Sequence, residues 1–304
     1  MNVDWANPWA APGEWLLGNL HTHTKRSDGS LPVDDTAGVY RNGGYDFLAI
    51  TDHAVLFEQE QQRADGLLLL GGCLESDLLA GAMEMLILDV DRTPEIVRSV
   101  TTGQQAIDLI RAANGMAFLA HPYWSGLQTA DVLALEGLTG IELLNWGTEY
   151  YQKKGYAIQL YEQLLSAGKR LWNIAVDDCH HAQEYLDSCR GAVMVRAEER
   201  SSAAIYDALR HGRFYSTTGP RIHNLAFDGE HVLLECDPVV EIVFHANWYF
   251  AQRSETSGRR PFTSRRYPSD RYRPQLGRDV TYCFVEIRDE AGRAAWSNPL
   301  FFSE

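Results

Sequence analysis

The feature that most constrains this chain is a unit that occurs three times: a segment of helical spacing, a glycine stop, a short apolar run, and a polar residue directly after it. In the first copy Pro32 opens the helical turn, the segment to Arg41 reads as helix, Gly43 and Gly44 end it, and Phe47-Leu48-Ala49-Ile50 leads into Thr51-Asp52-His53. The second begins with Thr101 or Thr102 as N-cap, continues through AIDLIRAAN, stops at Gly115 and passes through MAFLA to His121-Pro122. The third spans a helix from about Tyr156 to Ala167, the stop at Gly168, and LWNIAV leading to Asp177-Asp178-Cys179-His180. EWLLGNL before His21, LLLLGG before Glu75, MLILDV after Glu84, GIELLN around Glu142 and GAVMV at 191–195 read as further strands. Alternating helices and strands predict parallel βαβ units, and about seven of them closing on themselves make a (β/α) barrel. An open doubly wound sheet is the alternative, but no GxGxxG turn supports it.

With 304 residues, 45% of them hydrophobic, the chain can bury a large core and is too apolar to be disordered. The texture changes after RFYSTTGPRI: HVLLEC, EIVFHANWYF and TYCFVEIRD alternate like strands, with no convincing helix among them. We therefore expect a (β/α) barrel over residues 1–220 and a small all-β domain over 221–304. Residues 252–278 hold eight Arg against one Glu and one Asp, which reads as a solvated loop, locally positive in a chain of net charge −14. That net charge argues against a nucleic-acid backbone or an anionic membrane as general partner, leaving short oligonucleotides open through the Arg-rich loop. Five scattered cysteines without a CxxC pair, no basic-then-apolar leader and no run of roughly 18 apolar residues predict a soluble protein of the reducing cytoplasm. Its oligomeric state is not legible.

The chemistry-bearing residues crowd at strand ends. His21 and His23 lie two apart on an extended segment, so both imidazoles face one side and can converge on one cation. Asp28 follows in the turn SDG, His53 closes the next strand, Glu75 and His121 follow two more, and Asp178 with His180 repeats the two-residue spacing. Together they supply about as many N and O donors as two or three ions require. Asp52 is expected to support these residues without touching metal, and Glu142 and Asn145 to sit near the pocket. His181 is a candidate to protonate a leaving group, and Arg213, with Lys25 and Arg26, to pair with a substrate phosphate.

GNLHTHTKRSDG, FLAITDH, the Glu after GGCL, AHP and DDCH follow one another across roughly residues 15–220 in the order and spacing of the PHP (polymerase and histidinol phosphatase) family, which the chain resembles. The stretch ALRHGRFYSTTGP and the β-rich tail ending in AAWSNP resemble its two-domain bacterial branch. The resemblance implies a distorted (β/α)7 barrel, amidohydrolase-like chemistry, and two or three Mn, Zn or Fe ions that hydrolyse phosphate esters. It implies that His21, His23 and Asp178 hold a first ion, that Glu75 bridges to a second also bound by His121, and that Asp28, His53 and His180 hold a third. Where family members often carry histidine before the next apolar strand, this chain has Glu84, a departure that implies either a harder, more oxygen-rich site leaning toward Mn or Fe or a weakened second site.

Two ions sharing a carboxylate bridge lower the pKa of a common water and neutralise phosphoryl charge. The expected activity is hydrolysis of a small organic phosphate mono- or diester. Hydrolysis of a carboxylic ester, amide or carbamate on the same ions is the rival within enzymes, and a non-catalytic metal-binding or interaction module is the rival outside them.

Overall fold

A computed structural model describes residues 2–76, 83–91, 102–182, 187–256, 261–268 and 274–304. All three helix-stop-strand units form: helix Val33–Asn42 with strand Phe47–Ala49, helix Gly103–Ala112 with strand Met116–Leu119, and helix Ile158–Ser166 with strand Trp172–Val176. The middle helix starts where its sequence directs. The Thr102 side chain accepts the backbone N–H of Gln105, a cap worth about 1 kcal/mol, and Ala106, Ile107 and Ile110 form the buried face. In the third unit the chain leaves its helix through Gly168 at φ +89°, a backbone region costly for any residue with a Cβ.

The strands do not close into a barrel of continuous ladders. One sheet carries Ala192–Ala197, Glu14–Asn19, Phe47–Ala49 and Leu68–Leu70 in that order; a second runs Trp172–Val176, Gly140–Asn145, Met116–Leu119, Met85–Leu88, Leu74–Glu75. They are joined by single bridges, Thr22 to Cys179 on one side and His53 to Glu75 on the other. The corner between them is Gly71-Gly72 in LLLLGGCLE: a Cβ on Gly72, which sits at φ +77°, would lie 2.5 Å from the Val90 carbonyl oxygen. Nor is the pairing parallel throughout, as the repeat suggests. Met85–Leu88 runs antiparallel to both its neighbours. The nine residues between Glu75 and Met85 are too few for a helical crossover, which takes a dozen or more.

After residue 220 the described chain is strands plus one short 3-10 turn, Trp248–Phe250. Ile222–Phe227, Val232–Val239 and Phe262–Tyr267 form a three-stranded sheet. Tyr282–Arg288 and Ala294–Ser297 instead continue the first large sheet, because Ala294–Ser297 pairs with Phe214–Thr217, itself paired with Ala192–Ala197. The Asn298 side chain adds a tie, accepting the N–H of Asn173 and donating to the carbonyls of Gly212 and Phe214. The Arg-rich stretch departs from the expected loop. Gln252–Glu255 and Phe262–Tyr267 are strands, with Arg253 paired to Glu241 and Glu255 and Arg265 stacked on Phe262. Residues 257–260 and 269–273 of that stretch lie outside the described residues. Among those described, no helix is long and apolar enough to cross a membrane, and all five cysteines are free thiols.

Candidate metal centre

The strand ends at the bridged side of the two sheets bring the expected residues together. His21 and His23 follow Glu14–Asn19, held in place by the Asn19 side chain accepting the His21 N–H and by the His23 N–H donating to the Cys179 carbonyl. Glu75 is the hub. Its Oε2 lies 3.1 Å from His21 Nε2, 3.2 Å from His23 Nε2 and 3.3 Å from His53 Nδ1, and its Oε1 lies 3.4 Å from His121 Nε2. Asp178 Oδ1 stands 3.3 Å and 3.2 Å from the same two nitrogens of His21 and His23. Asp28 Oδ2 is 3.3 Å from His180 Nε2 and 3.7 Å from His53 Nε2, with the His23 and His180 rings stacked at 4.2 Å. Glu84 Oε2 is 3.4 Å from His121 Nε2. Glu84 arrives because its strand runs backwards: in an antiparallel strand the residue before the strand, not the one after it, reaches the site end.

These atoms fall into three groups able to hold an ion: His21, His23 and Glu75; Glu75, Glu84 and His121; and His23, Asp28, His53 and His180. Their chemistry fits cations and little else. His21 Nδ1 donates to Glu142 Oε1 at 2.6 Å, which leaves its Nε2 as a lone pair 3.0 Å from His23 Nε2 and facing two carboxylates. Both Glu75 oxygens and His23 Nδ1 are buried without a hydrogen-bond partner. Acceptors buried against acceptors need a positive charge between them. In the bare protein, protons take that place. Burial opposes charge on His23, but Asp178 and Glu75 push it up to about 9. His121 is likewise pushed up to about 9 against its burial by Glu75 and Asp178. Burial would raise Glu75, yet His21 and His121 hold it well below the usual carboxylate range. Burial and the neighbouring Glu75 lift Glu84 to about 7.

Around the cluster stands a layer that orients it. Glu142 accepts from His21 Nδ1, the His121 N–H and the Asn145 amide, and Asn145 also donates to Asp178. Ser125 Oγ meets His121 Nδ1 at 3.0 Å. Asp52 accepts from the Thr24 N–H, Thr24 Oγ1 and Ser27 Oγ, so it braces the turn that carries Asp28. Asp177 accepts the N–H groups of Cys189, Arg190 and Gly191 and the Tyr40 hydroxyl, tying down the chain beyond the site. Asp178 and His121 hold positive φ, 52° and 24°, backbone strain of the kind that gathers where side chains must be aimed.

Two residues expected to act on substrate lie elsewhere. His181 turns away from the cluster, its Nδ1 3.3 Å from Cys179 Sγ, and burial lowers its pKa. Arg213 precedes its strand, at the end away from the cluster, and pairs with Asp207. The cavity over the cluster encloses about 330 Å³ and is walled by Trp124, Thr148, Tyr151 and Gln152, none of which the sequence marked.

No family model matches the sequence, and no curated protein does. Solved structures do resemble the fold. A two-domain protein containing a predicted PHP-like metal-dependent phosphoesterase from Bacteroides vulgatus aligns over 90% of both chains at 16% identity and a TM-score of 0.53. A candidate metal-dependent phosphoesterase from Bifidobacterium adolescentis aligns over 56% of this chain and 88% of its own, at 15% identity and a TM-score of 0.39. The first of these alignments shows that the chain shares the fold of the Bacteroides protein over nearly its whole length.

Proposed function

We propose that this chain is a metal-dependent hydrolase of small organic phosphate esters, its cluster and pocket belonging to residues 1–220 and its β-rich part to 221–304. The observation that carries the reading is Glu75: one buried carboxylate presenting two unpartnered oxygens to four imidazoles, as a bridge between two cations requires. His21, His23 and Asp178 would hold one ion, Glu75, His121 and Glu84 a second, and Asp28, His53 and His180 a third. Carboxylates and imidazoles without thiolate suit Mn, Fe or Zn.

Bound divalent ions supply a field that ionises water near neutral pH and offsets phosphoryl charge. The chain's own residues do the rest. Glu142 and Ser125 fix which nitrogen of His21 and His121 faces inward, and the buried cluster floor keeps bulk water from solvating the reacting phosphate. Water oxygen bonds to phosphorus, the bond from phosphorus to the alcohol oxygen breaks, and the alcohol leaves with a proton taken from that water. The test is turnover of an aryl phosphate beside an aryl carbamate, with metal analysis of the same sample. Cleavage of the carbamate alone would replace phosphorus by carbon as the target; a fully loaded protein that cleaves neither would end the hydrolase reading.

A further inference from the structure

The walls of the pocket say which ester it suits. Four carboxylates, Asp28, Glu75, Glu84 and Asp178, line it, and among the described residues no lysine or arginine does. Phosphate sites that rely on side chains use arginine or lysine. Among the described lining residues none offers a fixed positive charge, so taking up negative charge falls to the ions of the proposed cluster and a substrate's anionic group sits on the floor. A second anionic group, higher in the pocket, would meet no counter-charge from those described walls.

Above the floor stand two aromatic rings that the core does not use. Trp124 is 39% exposed and Tyr151 40%, although both line the cavity. Each is held from behind. Trp124 belongs to the turn after His121, closed by the Ser125 N–H to the His121 carbonyl, and its ring stands edge-on to His121 at 4.9 Å. Tyr151 lies in the last turn of the helix Trp146–Gln152, its ring edge-on to Tyr150 at 5.0 Å. Two partly exposed rings lining one cavity, each backed by a neighbouring ring, can cover a flat apolar group, and an occupied site would hide apolar surface that otherwise faces water.

Resting on the hydrolase reading, we infer that Trp124 and Tyr151 form an aromatic clamp for the organic part of the substrate, which is an ester of an aromatic alcohol carrying one anionic group only. Sugar phosphates with further phosphates and carboxylated esters are excluded by the same walls.

The experiment is calorimetric titration of the metal-loaded, full-length protein with phenylphosphonate and methylphosphonate, which bind without turning over, followed by hydrolysis of phenyl, ethyl and 4-carboxyphenyl phosphate. Phenylphosphonate should bind at least about tenfold more tightly than methylphosphonate, one stacked ring being worth about that factor. Trp124→Ala and Tyr151→Ala should each erase most of that ratio, Trp124→Phe should restore it, and Gln152→Arg should admit the carboxyphenyl ester that the natural protein rejects. Equal affinities for the two phosphonates, a preference that survives the double alanine variant, or no binding of either would overturn the clamp. A clamp-dependent preference with no hydrolysis of any ester would leave the clamp standing and remove the phosphoesterase reading instead.

Discussion

Two buried assemblies of histidine and carboxylate lie in different regions of the molecule, and they obey opposite rules. At the cluster, imidazoles meet more lone pairs than they have protons: His21 Nε2, His23 Nε2 and Glu75 Oε2 point at one another, and Glu75 Oε1 faces His121 Nε2. In the β-rich region His245 sits alone between two acceptors, Nδ1 2.9 Å from Glu162 on the helix Ile158–Ser166 and Nε2 3.2 Å from Glu286 on the strand Tyr282–Arg288. One added proton satisfies that triad completely. The difference teaches that buried histidines beside carboxylates do not mark a metal site; a surplus of acceptors over protons does.

Breaking the hub should give the largest effect. Glu75→Gln keeps the shape but cannot bridge, and turnover should fall by more than about a thousandfold, with loss of bound metal seen by elemental analysis. If Glu75→Gln retained full metal and rate, the cluster would be no different in kind from the His245 triad. Glu142→Gln comes next. It leaves every proposed ligand in place while weakening the hold on His21 Nδ1, so metal affinity should drop about 10- to 100-fold, measured by competition with a chelating dye.

At the triad the expected response is to pH rather than metal. Burial opposes protonation of His245, but Glu162 and Glu286 raise its pKa above the usual 6.5. The charged triad therefore stabilises the fold fully below the unfolded value of about 6.5, and that contribution disappears as pH rises through the higher folded value. His245→Gln should cost about 1–3 kcal/mol in urea unfolding at pH 6 and less at high pH, with the metal content unchanged. A flat difference across pH would show that His245 is held neutral. The smallest effect belongs to Arg213→Ala, which removes a surface pair with Asp207; stability should move by under about 1 kcal/mol and turnover hardly at all. A large loss of rate would return Arg213 to the substrate.

The convergence of the proposed ligands was legible because strand-end placement and two-residue spacing are local properties. The same spacing holds the lesson for His181: if Asp178 and His180 face the cluster, Cys179 and His181 face the other way, and they do. Glu84 was legible only through the family resemblance, since nothing in MEMLIL says that its strand runs backwards. The roles of Glu142 and Asn145 depend on partners far along the chain; Glu142 meets His21 across 121 positions. Trp124 and Tyr151 were invisible for a related reason. Whether an aromatic ring packs inward or stands at a rim is decided by neighbours, not by its own spacing. The repeated unit implies a closed barrel, whereas the chain passes from one sheet to the other at Gly71-Gly72, and the short link before Met85 makes the next strand antiparallel.

The ladder that passes from Ala192–Ala197 through Phe214–Thr217 to Ala294–Ser297 has a consequence for how such a chain can change over time. Its last strands are not a cassette to be exchanged at will. A newcomer would have to present an edge of matching length and register to Phe214–Thr217, or leave a row of amides bare two strands away from the one that leads into His21 and His23.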